Sequence, residues 1–346
     1  MEEIELVNFV RWRLRKKRLS RDRYNPLENL NDQEFIELYR VRKEIVQNLL
    51  QRGVVVNPKA RRNHSTPAVI QLCSTLNILA TGCTLRKTAE LLGISYPTTH
   101  RVFWNTINDL VLLAPTFIKF PKVKEVQNIA SQYFEISHIP NVIGCIDGSL
   151  IALKKPTLNE HIYINRKGVH SINVLIVSGP NLSINFINAK YPGSAHDAYI
   201  YQMSGLSNFL TNAGYESSII LGDSAFPLEN HFLVHYLDPQ NKDEERFNKV
   251  FRIVRCSVER ALGVWKARWR IVDKQGGPIR CAPDKASKII VPTAILHNMC
   301  ILANQPNPEP LPEEVEDDIN TIIHGGASIR ENIVKQLKNE RNKLRV

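Results

Sequence analysis

The spacing of apolar residues changes near residue 141, and that change limits what the chain can fold into. From Asn31 to about Glu125 apolar side chains recur three and four positions apart, as in Phe35, Ile36, Tyr39, Val46, Leu49 and Leu50, which places them on one helix face. From Asn141 they come in short runs rich in Val, Ile and Leu, at 141–153, 170–178, 183–190 and 217–223, separated by Pro, Gly and Asn as strands are. Helical patterns lie at His196–Leu210, between the third and fourth strands, and at Asp243–Ile271 and Pro283–Asn304. Three strands, a helix, a fourth strand and further helices predict an α/β class with a mixed sheet flanked by helices, preceded by an all-helical N-terminal domain. The expected divisions are a basic segment over 1–30, a helical domain over 31–125, the α/β domain over 141–304, and an acidic proline-rich linker with a C-terminal helix over 305–346.

Charge narrows the function. The 346 residues carry 45 Lys and Arg against 34 Asp and Glu, a formal net charge of +11, which favours a polyanionic partner such as nucleic acid or an anionic membrane surface. The longest apolar stretch, Thr66–Gly82, is interrupted by Gln71, Ser74, Thr75 and Asn77 and falls short of the ~20 residues of a membrane span, so a buried helix is expected there. Met1–Leu19 has no apolar signal-peptide core, and the chain is expected not to be secreted. The six cysteines show no C-x-x-C pair or zinc spacing and are expected to be reduced core residues.

Two N-terminal features have two readings each. Arg11–Arg23 (RWRLRKKRLSRDR) is either a nuclear-import or DNA-backbone segment or a solvated charged helix. Leu85–Leu92, the turn Gly93-Ile94-Ser95 and a helix with Pro97 in its first turn resemble a helix-turn-helix, with Ser95 as N-cap. As a DNA reader it would present Tyr96, Thr98, Thr99 and Arg101 to base edges, and Arg86 and Lys87 to phosphate; as a helical hairpin it would only pack its own core.

Three acids carry the chemistry. Asp147 lies inside the apolar strand NVIGCIDGSLIAL, where an unpaired carboxylate is costly unless it is hydrogen-bonded, ion-paired or bound to metal. Asp223 ends the strand run after Gly222, at a carboxyl end where ligands of open α/β sheets collect. Glu259 sits beside the apolar stripe Phe247, Phe251, Val254, Val258, Leu262, Trp265 and Trp269; it either faces a cleft or pairs with Arg255 or Lys266. If the three converge, their repulsion calls for a cation, and an all-oxygen set selects Mg2+ or Mn2+. Two such ions can activate water and stabilise the leaving 3′ oxygen of a phosphodiester.

The motifs IDGSLIAL around Asp147, NRKGVHSINV from Asn165, YPGSAHDAYIY around Asp197, LGDSAFPL around Asp223, FNKVFRIVRCSVERALGVWKARWRI around Glu259 and ILHN at 295–298 resemble, in this order, the PIF/Harbinger transposases and the Harbinger transposase-derived nucleases. The resemblance runs over about 120–300. It implies an RNase H-like fold, a DDE endonuclease with two divalent metals, and a catalytic and metal-binding triad of Asp147, Asp223 and Glu259. It also implies duplex DNA as substrate, a Myb-like DNA-binding partner protein, and a nuclear location with the cytoplasm as a second; no membrane partner is expected, and of the oligomeric states, which the sequence leaves open, a homo-oligomer is one. Val177-Ser178-Gly179 departs from the family pattern where an Asp is usual, and Ser149 stands where Thr is commoner.

Further residues have a role in either case. His196 and Asp197 can assist proton transfer or ligate metal, or Asp197 or Ser194 can cap the helix that begins there. Arg166, Lys167 and His170 form a basic loop that either holds phosphate or is simply solvated, and Lys266, Arg268 and Arg270 beside Trp265 and Trp269 can track DNA. His231 and His235 are expected to be ordinary histidines, and His297 and Asn298 a buried hydrogen-bonding pair. The expected activity is metal-dependent DNA cleavage; the alternative is a domesticated DNA-binding or chromatin-interaction protein without turnover.

Overall fold

The computed structural model describes residues 25–55, 66–311 (apart from 213 and 216) and 326–343. Arg11–Arg23 and most of the acidic linker lie outside the described residues. The chain divides into two compact units, one holding residues up to 78 with 83–106, the other 79–82 with 107 onward.

The first unit is helical, with α1 (Asp32–Tyr39), α2 (Lys43–Gln51), α3 (Ala68–Thr81), α4 (Leu85–Leu92) and α5 (Tyr96–Val111), the division between units falling within α3 and α5. A capping box starts α1: the Asn31 side chain accepts from the Glu34 amide, and Glu34 accepts from the Asn31 amide. Phe35, Tyr39, Val46 and Leu49 are buried, as their spacing predicts, and α3 is the buried helix expected at 66–82. Buried Asn77 donates to the Leu38 carbonyl at 3.2 Å and accepts from Thr88 at 3.4 Å, linking α1, α3 and α4.

The second unit is built on a five-stranded sheet of order β3-β2-β1-β4-β5. β1 (Val142–Ala152), β2 (Ser171–Ser178) and β3 (Ile184–Pro192) run antiparallel in sequence, while β4 (Ile219–Leu221) pairs parallel with β1 and β5 (Phe232–Leu233) parallel with β4. All eight residues of β2 are buried, in accord with a strand covered on both faces. The chain thus adopts the mixed α/β class read from its sequence, in the RNase H-like arrangement that the resemblance implies.

Strand alternation assigns the two faces. On one, α6 (Val123–Ser137) sends the Tyr133 hydroxyl to the Ser178 carbonyl at 3.1 Å, and α9 (Lys242–Arg268) offers its Val254 carbonyl to the Cys145 thiol at 3.6 Å. On the other, α7 (Asp197–Met203) stacks Tyr201 on Phe232 with ring centroids 4.8 Å apart, followed by α8 (Leu206–Asn212). α10 (Pro283–Leu302) lies beside α9, where Trp265 donates to Thr293 at 3.0 Å, and Asn298 bonds both backbone groups of Ile184 in β3. α11 (Ala327–Lys343) packs on α9 through buried Ile333 and Leu337 and the Lys338–Asp243 ion pair at 2.8 Å.

Four details differ from the sequence reading. α6 belongs to the sheet unit, which takes in the chain from residue 107 onward and not only from 141, because helical spacing reports the kind of element and not the core it joins. The helix expected over His196–Leu210 is broken at Gly205, whose φ of 74° belongs to a left-handed turn. Residues 305–311 are not a free linker: Leu311 donates to the Gly263 carbonyl at 3.2 Å, and Gln305 is buried. Cys256 is exposed, so not every cysteine is a core residue.

Candidate active site

The register of the sheet brings two of the three acids together. Cys145 of β1 pairs with Leu221 of β4 in parallel, so Asp147 and Asp223, each two residues further on, emerge side by side on the same face. Gly222 makes this path possible, since a Cβ there would lie 2.5 Å from the Phe232 ring and 3.0 Å from Ile146. The Asp223 carboxylate also accepts from the Ala225 amide at 3.0 Å, which fixes the turn after β4. α9 crosses the same face and supplies Glu259.

Arg255, one helical turn before Glu259, lies among all three acids. Its Nη1 is 2.8 Å from Glu259 Oε1, and its Nη2 is 3.5 Å from Asp147 Oδ2 and 3.7 Å from Asp223 Oδ2. Of the alternatives read from sequence for Glu259, the pairing with Arg255 occurs. Side-chain exposures of 14, 15 and 27% for Asp147, Asp223 and Glu259 leave the cluster open to solvent on one side.

The electrostatics are strained in one direction. Burial pushes the Asp147 carboxyl up to about 8; Arg255 opposes this, Asp223 and Asp197 add to it, and the Gly148 amide, donating at 3.0 Å, opposes it again. Burial works against the charge of Arg255, but Asp147, Asp223 and Glu259 outweigh it and hold the guanidinium pKa above its ordinary value. Three carboxylates and one guanidinium leave a surplus of negative charge.

Among the described residues, no three His, Cys, Asp or Glu side chains stand as a ready-made cage for a metal ion. Arg255 occupies the space between the carboxylates that would form one. The donor set itself is all oxygen, hard and anionic, which fits Mg2+ or Mn2+ and excludes soft ions.

His196 and Asp197 do not join this cluster. A Cβ on Gly148 would point into the Asp197 carboxylate, so Asp197 lies on the face of β1 opposite to Asp147. Its Oδ1 accepts from Asn173 at 2.6 Å, and Asn173 also donates to the Ala195 carbonyl at 2.9 Å. The N-cap residue of α7 is exposed His196, whose side chain makes no capping bond, with Asp197 as the first helical residue. Sequence reasoning missed Asn173, and it read Arg255 only as a helix partner of Glu259, not as a neighbour of Asp147 and Asp223.

The residues read as DNA contacts separate by exposure. Arg86, Lys87, Tyr96 and Arg101 are exposed and Thr98 is half-buried, but Thr99 is buried with its hydroxyl donated to the Ser95 carbonyl at 3.1 Å, which removes it as a base contact. Ser95 caps α5 as expected, accepting from the Thr98 amide at 3.4 Å. Arg166 and Lys167 are exposed on a loop shaped by Asn165, whose side chain accepts from the Lys167 and Val169 amides, while His170 pairs with Glu160 at 3.0 Å. On α9 and beyond it, Lys266 is half-buried and Arg270 exposed, but Arg268 is 1% exposed and donates to Asn307 at 2.9 Å and the Pro306 carbonyl at 3.3 Å. Arg268 is therefore structural, and its expected DNA contact is corrected. His231 and His235 flank β5 and share no helix face. His297 and Asn298 are buried and bonded to backbone carbonyls.

Residues 146–298 match the family model described as a DDE superfamily endonuclease, a span that encloses Asp147, Asp223 and Glu259. Over residues 146–298 the chain is similar to the DDE superfamily endonucleases. Members of this superfamily generally use divalent metals. The chain is homologous to the protein named "Putative nuclease HARBI1" of Mus musculus, 28% identical over 306 residues covering 86% of this chain and 87% of that one. The protein of the same name from Rattus norvegicus is 27% identical over 282 residues, 81% of this chain and 80% of the relative. "Protein ALP1-like" of Arabidopsis thaliana is 24% identical over 263 residues, 71% and 63% of the two chains. No solved structure matches. Among the described residues no helix is long and apolar enough to cross a membrane.

Proposed function

We propose that this protein is a metal-dependent DNA endonuclease of Harbinger transposase type, in which Asp147, Asp223 and Glu259 hold divalent cations and hydrolyse phosphodiester bonds of duplex DNA. The observation that carries the reading is the convergence of these three acids, from β1, the turn after β4 and α9, on one cation, the Arg255 guanidinium. When bound, two Mg2+ or Mn2+ ions would supply an activated water and a counter-charge for the leaving 3′ oxygen. The chain's own part is to hold the three carboxylates together on one face of the sheet, beside β1 and the end of β4, and to meet the DNA backbone with exposed cations such as Arg166, Lys167 and Arg270. In this reading either Arg86, Lys87, Tyr96, Thr98 and Arg101 of the helical unit contact DNA themselves, or a Myb-like partner protein supplies sequence recognition and docks on that unit, and the protein acts in the nucleus as a homo-oligomer.

The test is nicking of supercoiled plasmid and labelled duplex with Mg2+ or Mn2+, beside Asp147→Ala, Asp223→Ala and Glu259→Ala. Metal-dependent nicking by the wild type, lost in each variant, is the expected result.

A second reading, a catalytically silent domesticated DNA-binding or chromatin-interaction protein, is favoured by one observation: Arg255 already partners all three acids, so the cluster is held together without turnover. DNA binding with no nicking, even with a partner protein present, would select it.

A further inference from the structure

Arg255 stands where a cation shared by the three carboxylates would have to stand. Its Nη1 is hydrogen-bonded to Glu259, and its Nη2 lies within ion-pair distance of both aspartates, so a single side chain touches every acid of the cluster. An ion bound to two of these oxygens sits ~2.0 to 2.1 Å from each, between them. A guanidinium nitrogen already between the same oxygens would be pressed against a second positive charge in a half-buried site, where screening is weak. Arg255 also departs easily in one respect, because its buried Nε has no hydrogen-bond partner among the described residues and loses none of those by moving.

Resting on the metal reading above, we infer that Arg255 is an internal counter-ion: it gathers Asp147, Asp223 and Glu259 in the metal-free protein and is displaced from them when a divalent cation binds. Arg255 is then a positioning residue with two opposed effects. It keeps the carboxylates from driving β1, β4 and α9 apart, and it lowers the affinity of the site for metal. The guanidinium suits the first role because its rigid planar fork carries two separate nitrogens, Nη1 directed to Glu259 and Nη2 to the two aspartates, where the ammonium of a lysine is a single compact charge.

The test follows Mn2+ binding directly, by the loss of the free-ion electron paramagnetic resonance signal, with thermal melting in EDTA and in Mn2+ alongside. The proteins compared are the full wild-type chain, Arg255→Gln, Arg255→Lys and Asp223→Asn. Arg255→Gln is expected to bind Mn2+ at least tenfold more tightly than wild type, to melt lower in EDTA, and to gain more from Mn2+ than wild type does. Arg255→Lys should fall between the two, and it keeps the comparison open if Arg255→Gln folds only with metal present. If wild type binds Mn2+, Asp223→Asn does not, and Arg255→Gln and Arg255→Lys bind no more tightly than wild type, the counter-ion role is overturned and the metal site stands. If no protein in the set binds Mn2+, the metal reading falls and this inference falls with it.

Discussion

The space that a Cβ on Gly148 would need is filled by both carboxylate oxygens of Asp197. This contact lies directly behind Asp147, on the other face of the same strand, so crowding at Gly148 would be transmitted to the candidate metal ligand through one peptide unit. Gly148→Ala is expected to lose about 1 to 3 kcal/mol, the usual range for overpacking a filled interior. It should also lose nicking beyond what the stability change explains. Because the three atoms nearest to that Cβ all belong to Asp197, Asp197→Ala in the same chain should recover part of the melting temperature. A double variant no more stable than Gly148→Ala would show that the strain lies elsewhere.

Asp147 should make metal-free stability fall as pH rises. Its ordinary value is 3.8 and burial lifts the folded value to about 8, so between these limits the folded state holds a proton that the unfolded chain has released. The stabilisation is fully present below about 4 and lost through about 8. Denaturant unfolding in EDTA, stepped from pH 5 to 9, should show this slope in wild type and a flatter one in Asp147→Asn. Over the same range Mn2+ affinity should climb, since the ligand must be ionised. Parallel stability profiles for the two proteins would count against a protonated Asp147.

His297 bends the profile the other way at lower pH. It is fully buried and donates to the Leu182 carbonyl at 2.9 Å; burial, with Arg268 nearby, drops its pKa from 6.5 to about 4. A depressed histidine contributes stability that is present above 6.5 and lost as pH falls toward 4. His297→Gln keeps a donor for the carbonyl and cannot titrate. Its unfolding free energy should change less than that of wild type between pH 7 and 5, and an unchanged acid limb would show that His297 does not set it.

These groups also show what the sequence makes legible. β1 to β4 are visible because their Val, Ile and Leu runs are long enough to have a period, whereas β5, at two residues, is too short to leave one. Asp147 stands out because a carboxylate in an apolar strand needs a partner, and the parallel pairing of Cys145 with Leu221 then places Asp223 beside it. Arg255 is visible only along its own helix, as a neighbour of Glu259; its contacts with Asp147 and Asp223 exist in the third dimension alone. Asp197 misleads for the same reason, since its motif cannot say on which face of β1 its carboxylate comes to rest.

Arg268 and Arg270 give the sharpest contrast. Arg268 follows Trp265 by three residues on the buried stripe that includes Val258, Leu262 and Trp265, so its position points inward although its charge suggested DNA. Its hydrogen bonds to Asn307 and Pro306 hold the 305–311 segment on α9. Arg268→Gln should therefore cost about 1.5 to 3 kcal/mol, the range for a hydrogen bond to a charged group, and leave the salt dependence of DNA binding unchanged. Arg270→Gln, at an exposed position, should do the reverse, leaving stability within about 0.5 kcal/mol and reducing the slope of log K against log salt by about 1. Anisotropy of a labelled duplex across a KCl series, with melting curves for both variants, separates the two. A salt slope that falls in Arg268→Gln and not in Arg270→Gln would place the DNA track on the face that the structure buries.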